Sequence, residues 1–266
     1  MDGGTPPYIQ TGLKCVDDLL GGGLLHTGLY FLAARTNMGK TALALHIAEH
    51  VAKTQGAVTF ISMEMSADQL TARRIAALAN INSNQAMTKA LSEQEYAKVA
   101  TASQVIAKTP LYTTDGRGYS VAEIAEIARA HRGCRLVIVD HFGLIMTPGR
   151  QNDAVEYAAV AHALKRLAQA MNVPVLCLAQ LNRENEQRTD KRPRMSDLRK
   201  TGAAEEDADG VLFLHRPDYY DPDFERGAYE PVSVEVIVAK NRHGMTGKAE
   251  LSFLPETNTF KPKRMR

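Results

Sequence analysis

Residues 29–42 read LYFLAARTNMGKTA, and the order of residue types in this segment decides the fold. The apolar run Leu29–Ala33 predicts a buried strand, and the run that begins at Thr41 predicts a helix. A strand, a loop ending in Gly-Lys-Thr and a helix form the layout that cradles nucleotide phosphates. A chance Gly-Lys-Thr in a loop is the alternative, and the correct elements on both sides argue against it.

The loop supplies chemical groups that suit a nucleoside triphosphate. Backbone N–H groups at the start of a helix lack partners within the helix and attract phosphate. Gly39 lets the backbone approach closely, Lys40 reaches the β- and γ-phosphates, and Thr41 offers a hydroxyl to Mg²⁺. The usual pattern begins with glycine, but this chain has Ala34, where we expect a negative φ. The predicted nucleotide-binding residues are Arg35, Thr36, Asn37, Met38, Gly39, Lys40, Thr41 and Ala42.

The overall composition fits one soluble enzyme domain. The chain has 266 residues, 44% of them hydrophobic, which is enough for one large core. A net charge of only +2 means that an anionic polymer would have to bind a local basic patch. The odd number of widely spaced cysteines predicts reduced core thiols. Neither a signal pattern nor a membrane-spanning run is visible, so we expect a cytoplasmic protein without a membrane partner.

Strand-like and helix-like runs alternate along the chain, which predicts an α/β fold with a mainly parallel, twisted sheet flanked by helices. The predicted strands are Leu29–Ala33, Val58–Met63, Arg135–Asp140, Pro174–Ala179, Gly210–His215 and Ser233–Ala239. The predicted helices are Thr41–Lys53, Ser66–Asn80, Ser92–Lys108, Ser120–Arg132 and Asp153–Asn172. Ala249–Phe253 and Thr259–Lys261 follow without helices between them, which predicts an antiparallel edge.

Polar side chains come at the ends of three predicted strands. Ligands of open α/β sheets lie at the carboxyl ends of the strands. There, Asp140 can hold the shell of Mg²⁺, Glu64 can accept a proton from an attacking water, and Gln180 can sense a γ-phosphate. Plainer interpretations stay open: an ordinary strand end for Asp140, a first-turn helix acid for Glu64 and a solvated strand end for Gln180.

Two cationic segments follow. Residues 181–202 carry seven basic and four acidic side chains, which suits either contact with a nucleic-acid backbone or a solvated connector. Further along, Lys240 and Arg242 lie on one side of a predicted strand end. This pair suits a polyanion, including a phosphate held by a neighbouring subunit. Its alternative is a cationic turn that protects an edge strand.

In chain order, ARTNMGKTA, FISMEMS, RLVIVDHFGLI, PVLCLAQLNRENEQRTDKRPRMSDLRKTGAAEEDAD and AKNRHG resemble the consecutive motifs of the RecA-like motor domain of DnaB-type replicative DNA helicases. The resemblance extends from about Ile9 to Phe260, and alanine is common in the family at the position of Ala34. It implies a motor that uses ATP and Mg²⁺, forms a hexameric ring and moves along single-stranded DNA. It further implies a primase and a helicase loader as partners.

The resemblance also implies residue roles. Lys40 and Thr41 would bind phosphate and Mg²⁺, with Asp140 as the second metal residue. Glu64 would be the catalytic base, and Gln180 would be the γ-phosphate sensor. Lys240 and Arg242 would be cations that act on the ATP of the neighbouring subunit. Two loops would contact DNA, through Arg199, Lys200 and Gly202 in residues 196–202 and through Arg150 in residues 148–153.

The resemblance divides the chain into a linker remnant (residues 1–8), a motor domain (residues 9–260) and a basic tail (residues 261–266). Family members usually carry a helical domain and a linker helix before the motor, and their absence would weaken the ring. The chain is then either part of a longer helicase or a short form. A RecA-type recombinase or clock-like assembly protein is the second hypothesis, and an ATP-binding scaffold is the third. SDLRKTG and KNRHG favour the helicase, while Lys40, Glu64 and Asp140 argue against a scaffold.

Overall fold

A sheet of nine strands forms the centre of the protein in the computed structural model. The structure describes residues 7–88, 91–146, 153–182, 186–201, 206–221 and 223–263, with only the backbone of residues 153, 154 and 199–201. The strands are β1 Tyr8–Ile9, β2 Leu24–Leu25, β3 Leu29–Ala34, β4 Ala57–Ser62, β5 Leu111–Asp115, β6 Cys134–Asp140, β7 Val175–Gln180, β8 Gly210–His215, β9 Val232–Asn241, β10 Gly247–Leu254 and β11 Thr259–Pro262.

Helices flank the sheet on both faces. The α-helices are α1 Lys14–Leu20, α2 Lys40–Thr54, α3 Ala67–Ala79, α4 Ser83–Thr88, α5 Glu93–Lys108, α6 Val121–Ala130 and α7 Asp153–Met171. Short 3₁₀ helices occupy Phe142–Leu144, Met195–Thr201 and Pro217–Tyr220. Within the described ranges, no helix combines the length and apolar character needed to cross a bilayer.

The strand order is β11-β10-β9-β8-β3-β7-β6-β4-β5, and the short strands β1 and β2 pair separately. The strands from β8 to β5 in this order run parallel, and β9, β10 and β11 extend the sheet antiparallel. Every residue of β3 and β4 is buried, as expected for strands covered on both faces. The predicted α/β fold with an antiparallel C-terminal edge is confirmed.

Two layers of apolar side chains hold the helices to the sheet. On one face, α1 packs against β9 and β10, and α2 packs against β3, β4, β5, β6 and β11. On the other face, α6 and α7 pack against β3, β4, β6 and β7. The continuous burial of the parallel strands therefore fixes the strand ends rigidly, and those ends carry the polar residues identified in the sequence.

Several elements were not predicted from the sequence, and three predicted helices start one residue too early, at Ser66, Ser92 and Ser120, which are the capping residues. Edge strand β5 buries only Leu111, so its alternation is weak, and α1, α4, β1 and β2 are too short for a periodic signal. Capping boxes at Ser92 and Ser120 start α5 and α6. A third capping box at Ser66 starts α3 at Ala67, so Ser66 precedes the helix.

Candidate active site

The loop between β3 and α2 has a conformation that requires its glycine. Gly39 is the residue before α2, with a φ of 94°, and Asn37 has a φ of 63°. A Cβ added to Gly39 would lie 3.3 Å from the rings of both Phe253 and Phe260. Ala34 ends β3 and is not among the described residues with positive φ, as predicted. The loop therefore tolerates alanine at its first position but not a side chain at Gly39.

A cleft of about 260 Å³ opens beside this loop. The loop contributes one wall, strand ends contribute the floor, and the C-terminal edge of the sheet contributes a second wall that adjoins the loop. The described lining residues are Arg35, Thr36, Asn37, Gly39, Lys40, Thr41, Ala42, Glu64, Met65, Arg73, Gln180, Arg216, Phe253, Pro255 and Asn258. The structure thus brings most of the predicted nucleotide-binding residues to one cavity. Met38, also predicted, is buried in the core beneath the loop.

Asp140, at the end of β6, lies below the phosphate loop. The Thr41 hydroxyl donates a hydrogen bond of 2.7 Å to Asp140 Oδ2, and Lys40 Nζ lies 3.9 Å from Oδ1. Asp140 is fully buried, and among the described residues no donor hydrogen-bonds its Oδ1. Burial lowers the pKa of Lys40, while Asp140 and then Glu64 oppose that shift. A buried carboxylate oxygen without a donor is costly unless a cation or water binds it.

Mg²⁺ fits this oxygen chemistry. It prefers hard oxygen ligands and keeps several waters, so one carboxylate and one hydroxyl suffice when phosphate oxygens complete the shell. Asp140 and Thr41 supply that pair, and Oδ1 of Asp140 is the orphaned atom that a cation or its bound water would satisfy.

Glu64 lies between β4 and α3 with its side chain 57% exposed in the cleft. Because the capping residue of α3 is Ser66, the acid in the first helical turn is Asp68 and not Glu64. The first-turn interpretation of Glu64 is therefore wrong. His141 Nε2 lies 3.9 Å from Glu64 Oε2, while its Nδ1 accepts a hydrogen bond of 3.2 Å from the Gly143 amide.

His141 was not identified from the sequence. Burial lowers its pKa, and Lys40 lowers it further, which favours the neutral imidazole against the opposing effect of Asp140 and Glu64. With Nδ1 accepting from Gly143, the neutral ring carries its proton on Nε2, facing Glu64. A neutral His141 therefore points an N–H toward the Glu64 carboxylate from 3.9 Å, a distance longer than a hydrogen bond.

Arg73 and Gln180 complete the polar floor. Gln180 ends β7, is exposed and pairs in register with Ala34 beside the phosphate loop. Arg73, which the sequence analysis missed, projects from α3 into the cleft. Burial lowers its pKa, whereas the neighbouring Asp140 and Glu64 carboxylates raise it. A cation that faces both carboxylates is well placed to meet a phosphate.

An aromatic and guanidinium wall packs against the side of the loop. The Arg216 guanidinium lies 5.7 Å from the centre of the Phe253 ring, which stacks on Phe260 at 4.4 Å. Arg216 also donates to the Asn37 carbonyl at 3.3 Å and pairs with Asp218 at 2.6 Å. Flat guanidinium and aromatic surfaces suit the face of a nucleobase. No local pattern in the sequence indicates this wall, because its members are far apart along the chain.

Lys240 and Arg242 lie level with the start of β3, whereas the phosphate loop follows the end of β3. Asn241 pairs with Gly210, which pairs with Tyr30 near the start of β3. The part of β3 from Tyr30 to Ala34, about 13 Å long, separates this level from the phosphate loop. The described lining of the cleft accordingly contains neither cation.

Arg242 is held at that end by Asp209, a buried carboxylate. Arg242 Nη1 lies 3.8 Å from Asp209 Oδ1, and Arg242 Nη2 donates to the Glu206 carbonyl. Asp209 Oδ2 accepts 2.8 and 2.6 Å hydrogen bonds from the Leu29 amide and Lys165 Nζ. Of the predicted catalytic residues, the structure therefore brings together Lys40, Glu64 and Gln180 and leaves Lys240 and Arg242 apart.

The described part of segment 181–202 is packed and hydrogen-bonded. The buried Asp197 accepts hydrogen bonds of 2.7 Å from Arg188 Nη2 and 2.8 Å from the Arg194 amide, and Leu198 is buried in the core. A fully solvated connector does not fit these contacts. The predicted DNA-contact residues Arg150 and Gly202, and the side chains of Arg199 and Lys200, lie outside the described residues.

The glycine-dependent loop, the Lys40, Thr41 and Asp140 cluster and the order of the parallel strands define a P-loop NTPase domain of RecA-like fold. The profile of the family described as DnaB-like helicase C terminal domain matches residues 8–262. The chain belongs to this family.

Known replicative helicases are similar to the chain. It is 39% identical over 258 residues to the replicative DNA helicase DnaC of Bacillus subtilis (strain 168), and 39% identical to DnaB of Geobacillus stearothermophilus. Each alignment covers 95% of this chain and 56% of the relative, so the chain spans about half the length of these curated relatives. The similarity to replicative helicases does not favour the alternative of a RecA-type recombinase or assembly protein.

Solved structures give the same result. One structure, described as an ATPase domain, superposes with a TM-score of 0.90 at 31% identity, covering 99% of this chain and 94% of that domain. A DnaB-like replicative helicase whose interactions with primase have been described superposes with a TM-score of 0.87 at 32% identity, covering 97% of this chain and 62% of the other.

Proposed function

We propose that the chain is the ATP-hydrolysing motor domain of a replicative DNA helicase, with each ATP bound between two copies. The cleft of one copy supplies the phosphate loop, the metal residues and the base, and Lys240 and Arg242 of the next copy supply cations. The observation that carries the proposal is the distance of these two cations from their own cleft, across the sheet from the phosphate loop.

Within one copy, each residue has a defined task. Lys40 and the amides of the loop bind the phosphates, and Arg73 adds a second cation. Thr41 and Asp140 would hold Mg²⁺, which neutralises the charge that develops on the phosphates. Glu64 accepts the proton of the attacking water, and Gln180 contacts the γ-phosphate. Arg216 and Phe253 contact the face of the nucleobase.

A second copy completes the site. A cleft on one flank and cations on another produce a head-to-tail contact that closes into a ring when the rotation allows, here a hexamer. The γ-phosphate then strengthens the joint, because its charge meets the cations of the next copy, and hydrolysis weakens it. A primase and a loader are further proposed partners, the first because the DnaB-like structural neighbour interacts with primase.

Single-stranded DNA is the proposed track. The 3₁₀ helix Met195–Thr201 carries Arg199 and Lys200, and the adjoining Gly202 allows close approach of a phosphate backbone. Arg150 in the second loop would add another contact. Leu198 anchors the 3₁₀ helix to the core, so movement of the core would be transmitted to the DNA.

The test is ATP turnover per copy, measured across protein concentrations with and without a single-stranded oligonucleotide. We expect turnover per copy to rise with concentration, since two copies build one site, and to rise again with the oligonucleotide. Constant turnover per copy, including at concentrations at which the copies are monomeric, would mean that one copy holds the complete site.

Arg242→Ala is expected to preserve ATP binding and to lower hydrolysis by about 10³–10⁵-fold, the usual contribution of a trans arginine. Equilibrium binding of a fluorescent ATP analogue and phosphate release are the measurements. Arg129→Ala, which removes an exposed arginine of α6, is the control.

Mixing variants separates a trans role from a structural one. Copies with Lys40→Ala lack a working cleft but keep Arg242, so adding them to Arg242→Ala copies should restore part of the turnover. Hydrolysis by Arg242→Ala at the normal rate, or a mixture no more active than its parts, would contradict the trans role.

Arg199→Ala is expected to weaken single-strand binding and to reduce the slope of log affinity against log salt by about 0.7, the value of one phosphate contact. Fluorescence anisotropy of a labelled oligonucleotide at several salt concentrations measures this slope. Lys98→Ala, on the exposed side of α5, should leave the slope unchanged. An unaltered slope in Arg199→Ala would remove the residue from the DNA interface.

A further inference from the structure

Arg35 joins the phosphate loop to the segment that follows β7. Its side chain is 9% exposed and contributes to the lining of the nucleotide cleft. Arg35 Nη1 donates a hydrogen bond of 2.7 Å to the Leu181 carbonyl, and Nε donates one of 2.8 Å to Glu186 Oε1. Next to it, the Leu181 amide donates to the Ala34 carbonyl at 3.0 Å. One guanidinium therefore contacts both the cleft and the start of this segment.

Contacts continue from Glu186 to the 3₁₀ helix proposed to face DNA. Lys191 Nζ donates to the Glu186 carbonyl, which closes the segment on itself. Arg188 Nη2 donates to Asp197 Oδ2 at 2.7 Å, and Leu198 beside it is buried. Residues 186–198 thus form a hydrogen-bonded unit, and Glu186 is its ion-pair contact to Arg35 of the phosphate loop.

We infer that the Arg35–Glu186 ion pair couples occupancy of the nucleotide cleft to the affinity of the chain for single-stranded DNA. This inference rests on the proposed function. A phosphate in the cleft competes with the Glu186 carboxylate for the same guanidinium, so filled and empty clefts hold the 186–198 unit differently. Lysine could not replace Arg35, because a single ammonium lacks the planar fork that reaches Leu181 and Glu186 together.

The different burial of Arg35 and Glu186 allows their ion pair to break and form again. Arg35 is enclosed, but the Glu186 side chain is 36% exposed. Water can therefore solvate the carboxylate when the guanidinium turns to a phosphate, whereas a fully buried carboxylate would be left unpaired at high cost. The contact can accordingly form and break within each cycle.

The experiment measures the affinity for a labelled oligo-dT without nucleotide and with a saturating non-hydrolysable ATP analogue, and reports the larger dissociation constant divided by the smaller. In the wild-type chain we expect a ratio of about 5–150, the usual range of coupling between two sites. In Glu186→Gln we expect a ratio within about twofold of one, because the amide keeps the shape but loses the charge. Oligonucleotide-free turnover at saturating ATP should be unchanged.

The matched control is Asp190→Asn. Asp190 lies on the same segment and pairs with Arg192 and Arg194, so its removal changes the charge of the segment equally. It should keep the wild-type ratio. Arg35→Lys provides an independent second variant, which should lose the ratio although it keeps its charge.

The outcomes separate two failures. A wild-type chain that binds no oligonucleotide, with or without the ATP analogue, would contradict the proposed function and this inference with it. A wild-type ratio that survives in Glu186→Gln, or is lost equally in Asp190→Asn, would overturn the coupling role alone and leave the motor assignment standing.

Discussion

Lys40→Ala is expected to lower ATP turnover by at least about 10²–10³-fold, the cost of removing one preorganised charge from a phosphate-transfer site. Lys40 is only 11% exposed, and burial has already removed most of its water. Its ammonium is therefore preorganised to meet phosphate charge in a site of low dielectric constant. Phosphate release at saturating ATP gives the turnover, and binding of a fluorescent analogue shows how much affinity is lost.

The fold should survive this change. Thr41 still donates to Asp140, and alanine is a good helix former at the start of α2. Lys53→Ala is the matched control, because Lys53 lies on the same helix and pairs with Glu49 outside the ATP cleft. Normal turnover in Lys40→Ala with an intact melting transition would remove the phosphate cradle, and every role assigned around it, from the proposal.

The sequence predicted five of the six parallel strands in the described sheet, because most residues of these five strands are buried. β3, β6, β7 and β8 are largely continuous apolar runs, which are typical of parallel strands covered on both faces. Edge strand β5 escaped prediction because its residues after Leu111 are partly solvated. The order of the strands depends on which neighbours pair, and that information is absent from local periodicity.

Some residues of the candidate site were predicted from the sequence, and others were not. Glu64, Asp140 and Gln180 adjoin the ends of predicted strands, and Lys40 and Thr41 end the loop that follows a fourth predicted strand, so strand ends sufficed to bring these residues together. Other cleft residues reach the site from elements whose partners the sequence does not specify: Arg73, Arg216, Phe253 and Asn258. Arg216 directly follows the predicted strand Gly210–His215, so its place at a strand end was an available signal. Arg73 had a weaker signal, a cation on the helix after Glu64, and its direction depends on how α3 packs.

Glu64→Gln is expected to retain ATP binding and to lower hydrolysis by about 10²–10⁴-fold, the contribution of a general base. The amide has the same shape as the carboxylate but cannot take the proton of the attacking water. Since the side chain is 57% exposed, the substitution leaves no buried charge behind, and the fold should be unaffected. Turnover is measured by phosphate release, and binding by the rise in melting temperature with ATP.

Asp68→Asn separates catalysis from helix electrostatics. Asp68 lies in the first turn of α3, where its negative charge interacts favourably with the helix dipole, whereas Glu64 precedes the helix. If Glu64 merely supported α3, both variants would lower the melting temperature alike and hydrolysis would fall only with the folded fraction. A base instead predicts normal melting and ATP-induced stabilisation in Glu64→Gln with almost no product. Loss of ATP binding in that variant would make Glu64 a structural residue, and the attacking water would need another acceptor.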